Sequence, residues 1–458
     1  MESYPRLKNT ARLKRLSAFC WAAELLYDYG AVISPAEAFL LAHCTGEFSA
    51  SELTYIISKV YQWNLEEAGD FLKDTFIKRW ACIEWHKEKT CNPQAGYSPR
   101  DFLYVPDISL SKDRYETPVE MVLVLTNRCN FRCIYCYNSS GTGKTESELS
   151  LPQWLELIDQ AADMGIVKCT LTGGEPMLHP HFFEILQALH RHGILAYICT
   201  NGSRISAQAV KQFVLLKQPF VQISMDSPHE FVHDRLTVTK NTLPTVKSGI
   251  RSLVREGIRV HVKAVILPET MEDSEALIEE CYRIGVSQLI IDRYDLCLAG
   301  RGDNRFFLTE EQEQTVSEVV EKKKRQIGNA MNISTVFPPR GWKSSEDIVM
   351  CGAFYRSFTV LPDGDYPLCE KVAGIPALTV GNFKEMHLKE MWSSPRIREI
   401  MQPKRSQVSP ICHSCEHLKV CGTGCFAAKQ FVTGELYAPD PNCWKACYHE
   451  NQFLMAQL

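Results

Sequence analysis

Between residues 118 and 310, short apolar runs alternate with amphipathic stretches. The runs "VEMVLVL", "IVKCTL", "LAYICT", "PFVQISM", "IRVHVKAVIL" and "SQLIID" are rich in β-branched residues and predict buried strands. Between them, "HFFEILQALHRHG", which ends on a Gly stop signal, and "TLPTVKSGIRSLVREG" predict helices. Repeated strand-helix alternation predicts an α/β fold with a parallel sheet, open or curled into a partial barrel, whose functional residues lie at the C-terminal ends of the strands. Upstream, residues 1 to about 90 carry helical spacing, for example Leu53, Ile56, Ile57 and Val60 at i, i+3, i+4 and i+7. The turn-rich "KEKTCNPQAGYSPRD" then reads as a linker. Downstream, "EEQEQTVSEVVEKKKRQIG" predicts a solvated connecting helix. From Cys351 onward apolar periodicity is too sparse for a large core, so metal centres are expected to hold that region together.

Composition narrows the partners. The chain has 458 residues, 45% hydrophobic and 23% charged, enough for about two to four soluble domains. A formal charge of -4 and a pI near 6.4 give no excess of cations for a phosphate backbone or an anionic membrane. No apolar stretch approaches the roughly 20 residues of a spanning helix, and the nearest thing to a signal peptide, "LSAFCWAAELLY", is broken by Glu24. The expectation is a cytoplasmic protein that binds neither nucleic acid nor membrane.

Nineteen cysteines, an odd number, suit metal or cluster ligation better than a disulfide framework. Ten of them fall into two tightly spaced patterns. Cys20, Cys44, Cys82, Cys91, Cys169, Cys199, Cys281, Cys297 and Cys447 are scattered, and most of these read as buried thiols.

The first pattern is "CNFRCIYC", with Cys129, Cys133 and Cys136 after the first strand of the series. A four-iron cubane takes four ligands, so three leave one iron open, as catalytic metal sites do when they keep a position free. C-x3-C-x2-C in a first βα loop resembles the signature of the radical S-adenosylmethionine (SAM) superfamily, with Tyr135 in the aromatic slot. "TGGEP" follows the second strand and resembles that family's Gly-Gly-Glu motif; "CTNGS" and "ISMDS" follow later strands. The resemblance implies a [4Fe-4S] cluster on the three cysteines. It also implies a SAM site involving Tyr135, Gly173, Gly174, Glu175, Pro176, Thr200, Asn201, Ser224 and Asp226, and formation of a 5′-deoxyadenosyl radical. A phosphate loop is a poor alternative, because "GTGKT" at 141–145 would need its first Gly where Asn138 stands.

In the second pattern, Cys351, Gly364 and Cys369 follow C-x12-G-x4-C, and Cys412, Cys415, Cys421 and Cys425 follow C-x2-C-x5-C-x3-C, with Cys443 beyond. This resembles the SPASM extension of radical SAM enzymes; zinc ribbons are the alternative. The resemblance implies two auxiliary [4Fe-4S] clusters, three in all, with Cys351, Cys369 and Cys425 on the first and Cys412, Cys415, Cys421 and Cys443 on the second. A fourth ligand for the first would be Cys447, or the site would stay open to substrate. Glu370 stands where the sulfatase-maturing branch carries a substrate base, and is the candidate base here.

"GAVISPAEAFLLAHCTGEFSASEL" with "EEAGDFLKDTFIKRW" resembles the winged-helix recognition element of peptide maturases, which catches a precursor's leader by strand addition. The implied organisation is a recognition element at 1–92, a linker at 93–117, a partial (βα)6 radical SAM core at 118–310, a bridging helical region at 311–350 and a SPASM domain at 351–458. The expected function is peptide maturation, installing a thioether or carbon-carbon cross-link in a ribosomally synthesised precursor, with flavodoxin or ferredoxin as electron donor. The alternatives are a formylglycine-forming sulfatase maturase and a non-catalytic iron-sulfur sensor that binds DNA.

Overall fold

The structure is a computed structural model and describes residues 3–8, 11–16, 19–24, 29–89, 97–103, 117–137, 148–294, 304–335, 351–401, 408–415, 418 and 423–440. The chain forms two compact units, 1–117 and 118–458.

The first unit holds β1 (Tyr4–Leu7), β2 (Ala11–Leu16), β3 (Phe19–Glu24), β4 (Tyr29–Ile33), α1 (Pro35–Ala42), α2 (Ala50–Tyr61), α3 (Leu65–Lys78) and β5 (Ile83–His86). Each helix starts on a reciprocal capping box, Ser34 with Glu37, Ser49 with Glu52 and Asn64 with Glu67, so the orphan N–H groups of the first turn find partners. Strands β2, β3 and β4 make an antiparallel sheet, and β1 pairs with β5. Helical periodicity alone therefore under-describes the segment. On α2, Leu53 and Ile57 are buried as their spacing predicts, but Val60 is 42% exposed, because the buried stripe ends one turn earlier. Tyr97 and Phe102, from the stretch expected to link, pack into this unit's core, and the Leu13 N–H donates to the Tyr97 hydroxyl at 3.1 Å.

The second unit is built on eight parallel strands in the order β12-β11-β10-β9-β8-β7-β6-β13. Six are the predicted ones: β6 (Glu120–Val124), β7 (Lys168–Thr172), β8 (Leu195–Thr200), β9 (Phe220–Ser224), β10 (Arg259–Ile266) and β11 (Gln288–Arg293). The other two, β12 (Asn332–Thr335) and β13 (Ser357–Val360), extend the two edges. The connecting helices are α4 (Leu151–Asp163), α5 (Phe182–Arg191), α6 (Ala207–Leu215), α7 (Glu230–Thr237), α8 (Leu243–Arg255), α9 (Ser274–Arg283) and α10 (Glu310–Ile327). Strand side chains alternate. Met121, Leu123, Cys169, Leu171, Ala196, Ile198, Val221, Ile223, Val260 and Val262 join the core shared with the helices. Their alternates, among them Lys168, Thr172, Cys199, Ser224, Lys263 and Asp292, lie on the opposite, concave face. A buried anchor such as Trp154 of α4 stabilises the packing by about 3–5 kcal/mol relative to Ala.

Two expectations are corrected in the downstream region. Helix α10 is not merely solvated: Val316 and Val320 are 1% exposed, and Lys323 pairs with Glu275 at 3.0 Å and with Glu279, both on α9. Nor does the segment after Cys351 lack a core. Phe354, Phe358, Val360, Tyr366, Leu368, Val372, Leu388, Met391, Trp392, Ile397 and Ile400 belong to the same apolar cluster as the barrel. Apart from Phe354, which precedes β13, they come from β13, the hairpin β14 (Asp365–Pro367) with β15 (Thr379–Asn382), and helices α11 (Leu388–Ser393) and α12 (Pro395–Met401). The reason is geometric: each element contributes two or three apolar residues, too few to register as a period, and all converge on a surface the barrel already presents.

Candidate active site

The loop after β6 is tied down before any ligand is considered. The Arg132 and Ile134 N–H groups donate to the Thr237 and Leu236 carbonyls at 2.9 Å each, fastening the loop to the end of α7. The Cys136 N–H closes a turn on the Cys133 carbonyl at 3.1 Å. Arg128 reaches Glu148 at 3.1 Å, and Thr126 donates to the same carboxylate. From inside, the Tyr135 hydroxyl donates to Asp226, whose other oxygen accepts the Val265 N–H at 2.8 Å. Burial pushes Asp226 up to about 6, against those two hydrogen bonds.

Cys129, Cys133 and Cys136 are thereby held within electrostatic reach of one another. Burial raises the Cys129 thiol, with Glu175 and Cys136 adding to it and the Phe131 N–H and Asn201 amide opposing; burial raises Cys133 too, reinforced by Asp226 and its fellow cysteines. Thiols so raised keep their protons until a metal displaces them. Among the described residues no three His, Cys, Asp or Glu side chains are disposed to hold one metal ion. A cubane, which sets each thiolate on a different iron, fits the donor set.

The Gly-Gly-Glu segment runs alongside. The Gly174 N–H donates to the Thr126 carbonyl at 2.7 Å and the Glu175 N–H to the Arg128 carbonyl at 2.8 Å. A Cβ on Gly173, whose φ is +154°, would lie 2.5 Å from the Thr126 oxygen, and one on Gly174 would run into the Arg128 carbonyl. The glycines are there because two backbones touch. Pro176 then turns the chain away in a 3-10 turn. The Glu175 carboxylate is fully buried and accepts from Thr200 Oγ1 at 2.7 Å, the Asn201 N–H at 2.7 Å and the Met177 N–H at 3.1 Å. Burial raises it; those hydrogen bonds and Arg204 oppose the rise. Glu175, Thr200 and Asn201, expected separately at a SAM site, thus form one hydrogen-bonded group. Asn201 also reaches Asn130 at 3.1 Å and the Cys129 sulfur at 3.9 Å. Ser224 lies half-buried at the end of β9.

Of the scattered cysteines, Cys44, Cys82, Cys169 and Cys281 are buried as expected, whereas Cys199 is half-buried on the concave face. Burial pushes its thiol up to about 12, opposed by Lys263 and Lys168, with Glu370 and Glu175 also in reach. Glu370 opens a 3-10 turn right after Cys369 and acts electrostatically on Tyr137 as well as Cys199. This brings the candidate base and the cysteine loop to one region of the concave face, where Lys263 also pairs with Asp292 at 2.7 Å.

In the downstream pattern Cys351, Cys369 and Cys425 are brought together. Burial raises Cys351, opposed first by the Ala353 N–H, with Cys425, Lys429 and Glu370 in reach; Cys369 is raised by burial and by Glu370, with Cys351 in reach. Gly364, the glycine of the spacing, sits at φ +99° where its N–H closes a turn on Leu361 at 3.0 Å and a Cβ would meet Asn382 at 2.8 Å. Cys412 and Cys415 flank one turn, the Cys415 N–H donating to the Cys412 carbonyl at 3.1 Å. Cys421, Cys443 and Cys447 lie outside the described residues. Sequence reasoning missed Thr126, Arg128 and Glu148, which brace the loop, and Tyr137 and Lys263. Their only signal was position at strand ends.

Residues 123–281 match the radical SAM superfamily, and residues 351–416 match an iron-sulfur cluster-binding domain, SPASM. The cysteine loop is seated on a parallel sheet within the first matched stretch, so residues 123–281 resemble a radical SAM domain and residues 351–416 a SPASM domain. More narrowly, it resembles maturases. It is 23% identical over 337 residues to the PqqA peptide cyclase of Ruegeria pomeroyi, covering 72% of this chain and 88% of that one. It is 26% identical over 333 residues to the mycofactocin maturase MftC of Mycobacterium tuberculosis, covering 72% and 83%. The fold is similar to that of Streptococcus suis SuiB bound to S-adenosylmethionine, with a TM-score of 0.71 at 17% identity over 96% of this chain and 100% of that one. No helix among the described residues is long and apolar enough to cross a membrane.

Proposed function

We propose that this chain is a peptide maturase that joins a side-chain sulfur or carbon of a ribosomally synthesised precursor to another residue's carbon. The observation that carries the reading is the clamp between the cysteine loop and the Gly-Gly-Glu segment, joined to a concave face that also holds Glu370. When bound, SAM and a reduced cluster on Cys129, Cys133 and Cys136 supply a 5′-deoxyadenosyl radical that removes a substrate hydrogen atom. The chain's own residues do the rest. Tyr135 and Asp226 hold the loop to β9 and β10; Gly173 and Gly174 let the second loop lie against it; Glu175, Thr200 and Asn201 fix the rim where SAM would rest, with Pro176 and Ser224 beside them. Glu370 takes the proton that the oxidised peptide releases. Cys351, Cys369 and Cys425, and Cys412, Cys415, Cys421 and Cys443, hold two auxiliary clusters that receive electrons, with flavodoxin or ferredoxin as the external donor.

The N-terminal unit, 1–92 with its tie at 97–103, captures the leader. Its antiparallel sheet offers edge strands suited to strand addition, and a structure of SuiB bound to precursor peptide SuiA shares the fold over 96% of this chain, TM-score 0.69. The sulfatase-maturing alternative leaves that unit without a role, and a DNA-binding sensor leaves the SAM rim without one. Anaerobic coexpression with the short reading frame beside the gene, followed by mass spectrometry, tests the proposal. Loss of about two hydrogens per event is expected from cross-linking; deuterium uptake from heavy water without that loss would mean epimerisation, and an unaltered peptide would sink the reading.

A further inference from the structure

The turn between β13 and β14 holds Gly364, the glycine of the downstream spacing. Its φ of +99° is a conformation that L side chains rarely adopt, and a Cβ there would lie 2.8 Å from Asn382 Oδ1 and 3.2 Å from Leu149 Cδ2. Leu149 belongs to the segment that runs into α4, and its N–H donates to the Pro362 carbonyl at 2.6 Å, so the turn holds that segment by backbone and by side chain. Leu149 itself is buried in the core. Glu148, the residue before it, accepts from Thr126 Oγ1 with one carboxylate oxygen and from Arg128 at 3.1 Å with the other. Thr126 Oγ1 in turn accepts the Arg128 N–H and Nε–H, both at 3.1 Å. The carbonyls of these same two residues accept the Gly174 and Glu175 N–H groups. An unbroken series of contacts therefore runs from the downstream turn to the Gly-Gly-Glu segment. The Arg128 side chain is 42% exposed, and a pair that open adds little to stability; what it fixes is where two carbonyls stand.

We propose that Gly364 and Glu148 are positioning residues for SAM. The turn seats Leu149, Leu149 sets where the Glu148 carboxylate stands, and Glu148 holds Thr126 and Arg128 so that their carbonyls keep the Gly-Gly-Glu segment in register. The inference rests on the proposed SAM rim at Glu175, Thr200 and Asn201. Without the brace the rim relaxes when empty, and binding SAM must restore it. That cost falls on ground state and transition state alike, so it appears in KM rather than in kcat. A turn that served only its own hairpin would leave SAM binding untouched as long as the chain folds.

The test uses the full-length chain reconstituted with iron and sulfide. SAM itself is the probe, in uncoupled cleavage under dithionite, and hydrogen exchange over residues 173–177 is read by mass spectrometry. Glu148→Gln and Gly364→Ala are each expected to raise the KM for SAM about tenfold while kcat changes by less than about twofold, and both should speed exchange over that segment. The double variant should lose no more than the weaker single one, since both changes break one support. A KM and an exchange rate that match the parent in folded, iron-loaded Gly364→Ala overturn the proposal, and so do losses that multiply in the double variant. If Gly364→Ala does not fold, Leu149→Val decides on the same two readouts, because it withdraws one methylene from the contact with the turn. A parent that binds no SAM overturns the rim assignment and this proposal with it; a parent that binds SAM beside unaltered variants overturns the brace alone.

Discussion

At the scale of single residues, contact and burial both lead to measurable outcomes. Gly174→Ala drives a Cβ into the Arg128 carbonyl, at the point where the Glu175 N–H is bonded. Something must move, and the two segments forced apart are the cysteine loop and the Gly-Gly-Glu loop. The expected result is a drop of about four irons per chain with the barrel still folded, read by iron analysis beside circular dichroism; full loading in the variant would count against the clamp. Lys14 on β2 illustrates burial. Its side chain is 9% exposed, and desolvation lowers it from 10.5 to about 7. Between those values the unfolded chain holds a proton that the folded chain has released, so stability rises with pH across that window and the penalty is complete below it. The difference amounts to at most about 5 kcal/mol. Lys14→Met is expected to stabilise the N-terminal unit most near pH 6.5 and to flatten the slope towards pH 10. Denaturant unfolding at the two pH values checks this, and parallel slopes for variant and parent would refute it.

At the scale of elements, β13 and its successors β14, β15, α11 and α12 decide how the downstream region is held. Because Phe358, Val360, Tyr366 and Trp392 are buried in the barrel's own core, chelating the iron should leave far-UV circular dichroism close to that of the loaded protein. Ending the chain after residue 350 should instead give insoluble material, since it bares one edge of β6 and removes side chains whose loss costs about 2–5 kcal/mol each. Collapse on chelation would restore the view that metal holds this region. The six barrel strands were legible because each is a run of apolar residues buried on at least one face and bounded by turn residues. β12 and β13 were not: "NIST" buries only Ile333, and "SFTV" lies in a cysteine-rich setting that draws the eye to ligands. Among site residues, Cys129, Gly174 and Glu175 announced themselves by spacing. Arg128, Glu148 and Lys263 act through pairs that meet only after folding, and a pair separated by twenty or more residues leaves no local mark.

At the scale of the whole molecule, the chain divides at residue 117, and the proposed function assigns capture to the first unit and chemistry to the second. Deleting residues 1–117 should abolish leader binding in fluorescence anisotropy while uncoupled SAM cleavage persists, because every ligand proposed for iron lies downstream; equal affinity with and without the unit would refute the recognition role. The order of the sheet also bears on how the protein is made. β6, which carries the cysteine loop, is flanked by β7 on one side and β13 on the other, with Glu120 opposite Ser357. Its second neighbour is therefore synthesised long after it. At ribosomal speeds of about 5–20 residues per second, the cysteine loop leaves the exit tunnel roughly 10–50 s before the strand that seals its flank exists. An oxygen-sensitive cofactor placed during that interval would sit on an unfinished edge, whereas one placed after translation would meet the completed sheet, with β13 already beside β6.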